Sequence, residues 1–206
     1  MSHPHFAATV AGVGVSVADV DAREAKLRNA MPAASLPRAG TSEGRQLRRW
    51  LTQLMVTEKV IEAEAAAVGV TAGGVPTEDE LLPNDSARLE IGSVAAAALG
   101  DPLARAMFVQ TTAAVDVTES DVADYHDRNP LRFAKPSDTG NGWRTAVVDV
   151  PPLDAVRPLI IEHLRGAACR RAFRLWLDAR RAELVRLAPG YEHPGDPRQP
   201  DNTHRH

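Results

Sequence analysis

The sequence predicts a mainly α-helical fold that carries a short N-terminal strand or hairpin and a small closing β element. Three observations lead to this fold class. Apolar residues recur at helical spacing over residues 42–68 and 154–181. Thr118, followed by acidic residues, is typical of the start of another helix. Strand-like segments are short, and two of them, residues 6–15 and 183–187, lie far apart along the chain.

The first elements are a hairpin and a capped helix. Residues 6–15 alternate small and β-branched side chains around Gly12 and Gly14, as in a tight hairpin. Ser16 stands three residues before Asp19, which is the spacing of an N-cap with an acidic first turn. We therefore expect a helix over residues 17–29.

The middle of the chain is predicted to be helical with one surface loop. The helix over residues 42–68 ends at Gly69, a residue that readily closes a helix, while Glu58 and Glu62 take the side away from its apolar stripe. Residues 71–83 are rich in Gly, Pro and acidic side chains and predict a loop. Two further helices are expected, over residues 85–99 and 102–112.

The second half of the chain ends in a long helix. The helix that begins at Thr118 should stop near residues 129–130, and a loop over 137–142 and a strand over 144–150 follow. The long helix over 154–181 contains Pro158 near its first turns, a possible kink. Its predicted apolar stripe consists of Val156, Ile160, Leu164, Ala168, Ala172, Leu175 and Ala179.

Composition sets limits on the class of protein. With 206 residues and 44% hydrophobic content, the chain can bury one sizeable core, so we expect one domain over residues 6–188 and an extended polar tail over 189–206. A net charge of -3 gives no general attraction to nucleic acid or to anionic membranes. The single cysteine, Cys169, excludes an internal disulfide. The first residues lack the pattern of a secretory signal, and we expect a cytoplasmic protein.

Three stretches taken together resemble a known family of peptide-binding proteins. Residues 8–20 combine a short strand, a glycine turn and a capped helix, residues 117–133 form a capped helix ending in Asn-Pro-Leu-Arg-Phe, and residues 176–185 read Trp-Leu-Asp-Ala-Arg-Arg-Ala-Glu-Leu-Val. Their order is similar to the chaperone part of the SurA/PrsA family. The resemblance implies a helical cradle that holds apolar segments of unfolded or extended polypeptide.

The sequence departs from that family at one informative place. Members with isomerase activity insert a parvulin domain of about a hundred residues between the second and third stretches, whereas this chain offers residues 134–152, too few for a compact domain. We therefore expect no prolyl isomerase activity. The resemblance implies no cofactor.

Large apolar side chains at helical spacing are the candidates for peptide binding, because burying each contributes about 1.5 to 3 kcal/mol. The same spacing is typical of core residues, so both interpretations stay open for each position. The candidates are Trp50, Leu54, Met55, Met107, Phe108, Tyr125, Phe133, Phe173 and Trp176.

An acyl-transfer enzyme is the main alternative. Residues 14–18 read Gly-Val-Ser-Val-Ala, similar to a degenerate nucleophile elbow, and some similar short chains carry names from the malonyl-transacylase family. A malonyltransferase of that type would use Ser16 as its nucleophile. No histidine stands in a recognisable partner motif, and an N-cap explains Ser16 without catalysis.

Two further groups of residues leave alternatives open. The tail carries candidates for a zinc or nickel site: His193, Asp196, His204 and His206. The long helix is locally basic through Arg165, Arg170, Arg171, Arg174, Arg180, Arg181 and Arg186. Because Glu162, Asp178 and Glu183 dilute this charge, we expect no nucleic-acid or membrane partner. A structural subunit that docks on a partner protein, and a homodimer, remain open.

Overall fold

The computed structural model describes residues 6–32, 35–134 and 150–193. The N-terminal elements are β1 (Phe6–Val10), β2 (Val13–Ser16), α1 (Val17–Ala30) and α2 (Ser42–Val68). The middle elements are α3 (Glu78–Leu81), α4 (Asp85–Ile91), α5 (Ser93–Ala98) and α6 (Pro102–Thr112). The last elements are α7 (Glu119–Arg128), α8 (Leu153–Leu184) and β3 (Val185–Leu187). The mainly α-helical fold class is confirmed.

A three-stranded antiparallel sheet joins the beginning of the chain to the end of α8. Its strand order is β2-β1-β3, and Ala8 pairs with Leu187 across the β1–β3 ladder. The β1–β2 turn consists of Ala11 and Gly12, whose φ angles of 48° and 82° are those of a two-residue hairpin that follows the twist of the strands. The expected hairpin and closing strand are therefore present.

Helix α2 runs through the middle of the molecule. From Leu51 to Ile61 its residues are buried except for Met55, Glu58 and Lys59. It contacts α1, α5, α6, α8 and β1. The helix ends at Gly69 in the left-handed conformation, with φ 71°, so both predicted ends of this helix are correct.

The buried apolar residues in the described ranges form two separate clusters. The first, here called the main core, includes residues of β1, β2, α1, α2, α4, α5, α6 and the second half of α8. The second cluster is small: Val122 of α7 packs with Val156 and Ile160 of α8. Helix α8 is the element common to both, and its 32 residues give it a length of about 48 Å.

The predicted helix over residues 85–99 is wrong as a single element. Gly92 has φ 88°, outside the helical region, and it divides the segment into α4 and α5. The predicted loop over residues 71–83 also needs correction because it contains the short helix α3. Thr77 and Glu80 cap this helix reciprocally, and Leu82 directly after it is 1% exposed.

The predicted apolar stripe of α8 is correct at its start and wrong at its end. Val156 and Ile160 are buried, but Leu175 is 55% exposed, and Phe173 and Leu177 face the main core instead. The first half of α8 packs on α7 and the second half on the main core, so one continuous stripe cannot serve both neighbours.

Some expectations fall outside the described residues. These are the loop over 137–142, nearly all of the strand over 144–150, and the tail beyond residue 193. Among the described helices, none combines the length and the apolar character that a membrane span requires.

Candidate functional site

Several of the candidate peptide-binding residues belong to the main core. Phe173 is fully buried, Met107 is 2% exposed, and Leu54 and Phe108 are only slightly more accessible. The rings of Phe108 and Phe173 pack at 5.1 Å between centroids. In this conformation these side chains hold helices together and present no surface to a ligand.

The other five candidates are half-buried and do not meet at one place. Trp50, Met55 and Trp176 pack against the main core, whereas Tyr125 and Phe133 pack against the second cluster. Of these, Met55 lines a groove along the exposed side of α2.

The groove consists of two adjoining cavities of about 500 and 570 Å³. Arg23, Glu58 and Glu62 line both cavities, so these three residues mark their junction. The larger cavity lies between α2, α1 and β2, and the smaller lies between α2 and the connection from α5 to α6. Together they form a depression long enough to span from the sheet to the start of α6.

A charged pair stands at the junction of the two cavities. Arg23 Nη2 lies 2.8 Å from Glu58 Oε1. Burial raises the pKa of Glu58 above its ordinary range, and the opposing effect of Arg23 does not cancel this rise. Lys59 Nζ pairs with Glu62 at 2.7 Å farther along the same helix. The wall of the groove therefore offers both signs of charge within one helical turn of α2.

Within the part of the chain that the structure describes, β2 is an edge strand whose outer side has no strand partner, and this free edge opens onto the larger cavity. Ala11 and Ala188 make backbone hydrogen bonds on the β3 side of β1, with Leu184 and Ala7 respectively, so the even-numbered residues of β1 bond to β2. By the same alternation, the N–H and C=O of Gly14 point away from β1. Gly14 lines the larger cavity.

Two apolar side chains, Phe6 and Val13, lie next to Gly14. A Cβ atom at Gly14 would overlap the Phe6 ring, which lies over this position. Val13 beside it is 62% exposed and also lines the cavity. The edge therefore combines an outward-facing peptide group with an exposed apolar side chain.

Ser16 ends the edge strand and begins α1. Its hydroxyl donates to Asp19 Oδ2 at 2.7 Å and accepts from the Asp19 N–H at 3.0 Å, while its own N–H donates to Asp19 Oδ2. These hydrogen bonds with Ser16 lower the pKa of Asp19. Ser16 is thus a helix cap beside an antiparallel hairpin, and a nucleophile elbow would require a strand of an α/β-hydrolase sheet.

The contacts of His126 and His163 do not involve Ser16. His126 Nε2 lies 3.0 Å from the carbonyl oxygen of Pro151, and His163 packs on Tyr125. Burial, with a contribution from the nearby Arg132 charge, lowers the pKa of His163. His193 is exposed.

Of the candidate metal ligands, His193 lies among the described residues. Asp196, His204 and His206 lie outside the described residues. Within the described ranges, no group of three or more His, Cys, Asp or Glu residues is arranged to hold a metal ion.

The arginines of α8 serve different contacts. Arg170 Nε donates to Glu90 Oε2 at 2.8 Å, and Arg180 pairs with Glu183 at 3.0 Å. Arg181 instead donates to Thr57 Oγ1 and Gln53 Oε1 on α2. Arg171 and Arg174 are exposed. These arginines therefore divide between the helix interfaces and the solvent.

The sequence comparisons reach only the first part of the chain. The model of a family of unknown function (DUF7158) matches residues 6–43. No curated protein matches the chain. No solved structure matches it either. The matched segment contains β2 and α1, which form one wall of the groove.

Sequence reasoning did not select the polar residues of the groove. Arg23, Glu58 and Glu62 are ordinary charged residues on helices, and their spacing alone is typical of a solvated face. One usable signal was Gly14, because a glycine within a strand often marks a close approach of another group. Here that group is the Phe6 ring.

Proposed function

We propose that this protein is a non-catalytic, chaperone-like protein that binds an extended segment of another polypeptide along the groove. The observation that carries the proposal is the free edge of β2, where the peptide group of Gly14 faces an open cavity of about 570 Å³. An added strand can satisfy such an edge through main-chain hydrogen bonds, independently of its sequence.

Side chains of the groove would supply the rest of the interaction. Val13 and Met55 offer apolar contact next to the β2 edge. Arg23 and Glu58 can hydrogen-bond to polar groups of the segment as it continues from the larger into the smaller cavity. A site that recognises mainly the backbone, with a few small apolar contacts, can bind many different segments and does not select one defined sequence.

The resemblance to the SurA/PrsA family supports this proposal without adding an activity. The proposed framework lacks a parvulin domain, so binding would not be coupled to prolyl isomerisation. We further propose a cytoplasmic location, in keeping with the single cysteine, which makes no demand for an oxidising compartment.

A steric block of the groove tests the proposal. Ala22 is exposed on α1 and lines the larger cavity, so Ala22→Trp would fill the space without removing a core side chain. Ala25 on the same helix is also exposed and does not line either cavity, which makes Ala25→Trp a matched control. Binding of a fluorescent, carboxymethylated unfolded polypeptide is measured by anisotropy.

We expect Ala22→Trp to weaken this binding about tenfold or more and Ala25→Trp to leave it unchanged, because only the former occupies the cavity. Equal affinity of the two variants would contradict the proposed site. Absence of binding by the unsubstituted protein would contradict the function itself.

Measurements on this protein and on its Ser16→Ala variant distinguish the proposed function from the alternatives. Suppression of client aggregation should persist in Ser16→Ala, since Ser16 acts as a cap. Acyl transfer from a malonyl thioester that disappears in Ser16→Ala would instead establish the malonyltransferase alternative. Capture of one defined protein at fixed stoichiometry, with no affinity for unfolded polypeptide, would favour a structural subunit.

A further inference from the structure

A third cavity, of about 380 Å³, lies between α2, α5 and α8 and shares no lining residue with the groove. The polar side chains that line it are those of Thr57, Ser93, Arg174, Asp178, Arg181 and His193. Its apolar side includes Ile91, Val94 and Leu177. A volume in this range is that of a small-molecule site, and the two arginines give it a positive side.

Arg181 is the unusual residue of this cavity. Its guanidinium donates to the side chains of Thr57 and Gln53 and, at 3.3 Å, to the Gln53 carbonyl oxygen. All of these acceptors are neutral. Among the ion pairs of the described residues, none joins Arg181 to a carboxylate.

Arg170, three turns earlier on α8, shows how the charge of a buried arginine is usually balanced, which is by a carboxylate. Its side chain is 8% exposed, and its Nε lies 2.8 Å from Glu90 Oε2. Burial lowers the pKa of Arg181, and the charge of Asp178 only partly opposes this effect. The charge of this half-buried guanidinium is balanced only in part because its hydrogen-bond acceptors are neutral, and an anion in the cavity would supply the missing charge.

Arg174 lies about two turns before Arg181 on α8 and lines the same cavity. One of its nitrogens, Nη1, donates to the Glu90 carbonyl oxygen at 3.1 Å, which fixes the side chain near the cavity and leaves its other guanidinium N–H groups available. Asp178 also lines the cavity, so the two arginines exceed the carboxylates by one charge.

We propose that this cavity binds a small organic anion, whose carboxylate or phosphate group is held by Arg174 and Arg181 and whose apolar part contacts Ile91, Val94 and Leu177. Arginine suits either group because its fork of N–H donors matches two oxygens of a carboxylate or phosphate. This site is independent of the peptide groove, and either proposal can fail alone.

Titrations of the full chain with inorganic phosphate and with butyrate test the proposal. Chemical shifts of the backbone amides of Gly92, Ser93 and Val94 report on the cavity, because these residues line it. Butyramide, which has the shape of butyrate but no charge, and sodium chloride at matched ionic strength are the controls. We expect saturable shifts with at least one of the two anions and none with either control.

Two variants test whether the charge of Arg174 contributes to anion binding. Arg174→Gln removes one of the proposed ligands at an exposed position, and we expect the dissociation constant to rise about tenfold. Arg171→Gln removes an exposed arginine of the same helix that does not line the cavity, and we expect no change. Because Arg174 is exposed, its substitution should leave the fold intact, which the amide spectrum checks directly.

The anion that saturates the site assigns its chemistry: phosphate alone indicates a phosphate ester, and butyrate alone indicates a carboxylic acid. Shifts that grow linearly with salt, equal binding of butyramide, or equal losses in the Arg171 and Arg174 variants would each overturn the proposal.

Discussion

The main core and the second cluster are joined by one helix, α8, but the main core contains many more buried side chains. In the main core, α2 is surrounded by α1, α5, α6, α8 and β1, and residues such as Val56, Val60 and Phe173 are fully buried. In the second cluster, α7 packs on α8, and the buried side chains are those of Val122, Val156 and Ile160. The length of α8 therefore does not make its two halves equally stable.

Local stability therefore follows the number of layers packed around a helix. Opening α7 exposes few apolar groups, whereas opening α2 would expose most of the molecule's interior. Regions that bury few apolar groups open at lower free energy than the whole molecule unfolds. We expect the two regions to respond differently to equivalent substitutions.

The largest effect should come from Phe173→Ala. Phe173 is fully buried, and its ring packs on Phe108 and, at 5.5 Å between centroids, on Trp176. Its removal should lower the free energy of unfolding by about 3 to 5 kcal/mol. Urea unfolding followed by circular dichroism measures this loss.

Leu175→Ala is the matched control on the same helix, because Leu175 is 55% exposed. We expect a change of about 0.5 kcal/mol or less for this variant. Comparable losses in the two variants would mean that the second half of α8 faces the core with a different side.

A smaller and more local effect should follow Ile160→Ala. Ile160 is fully buried, but in the small cluster with Val122. We expect a loss of about 2 kcal/mol, at the lower end of the range for such substitutions. Hydrogen exchange should show it as faster exchange of α7 amides, while α2 amides keep their protection.

Leu159→Ala, at a 54% exposed neighbour, should leave the exchange of α7 unchanged. If Ile160→Ala instead accelerates exchange in α2 and α7 equally, the two regions unfold as one unit and do not differ in local stability.

Matching helix caps allow an equivalent substitution in each region. Ser16 caps α1 next to the main core, and Thr118 caps α7 through the same reciprocal pattern. Ser16→Ala and Thr118→Ala should each cost about 1 kcal/mol. We expect the loss at Ser16 in global urea unfolding and the loss at Thr118 mainly in the exchange of α7 amides. A global loss that is larger for Thr118→Ala than for Ser16→Ala would reverse the proposed order of stability.

The smallest effect concerns the pH dependence of these caps. Hydrogen bonds from Ser16 and Thr118 lower the pKa of Asp19 and of Asp121, respectively. A carboxyl whose pKa is lowered by folding stabilises the protein above its ordinary pKa of about 4, and this contribution is lost as the pH falls through the lowered value. The difference between the unsubstituted protein and Ser16→Ala should therefore shrink between about pH 6 and about pH 3. A difference that grows on acidification would mean that the Asp19 carboxylate does not stabilise the cap.

The ends of most helices could be predicted because they depend on local chemistry. The cap at Ser16, the left-handed Gly69 and the start of α6 at Pro102 are all readable within a few residues. Gly92 was missed because a glycine inside an alanine-rich segment is compatible with one helix until its backbone angle is known. The later stripe of α8 was missed because it depends on which neighbour each half of the helix meets.

Much less of the candidate site could be predicted. Large apolar residues suggested a binding surface, but size and spacing do not distinguish a core residue such as Phe108 from a groove residue such as Met55. The junction of Arg23 and Glu58 joins side chains 35 positions apart in the sequence. Only the packing of α1 against α2 brings them together.

The pairing of β1 with β3 sets an order of events during synthesis. Ala8 precedes its partner Leu187 by 179 positions along the chain, so β1 is synthesised long before β3. Until then one side of the central strand is without its neighbour and can pair with other nascent chains. The sheet can therefore be completed only after β3 has been synthesised, and in ribosomes stalled before residue 185 the amide of Thr9, on the β3 side of β1, should not yet be protected from exchange.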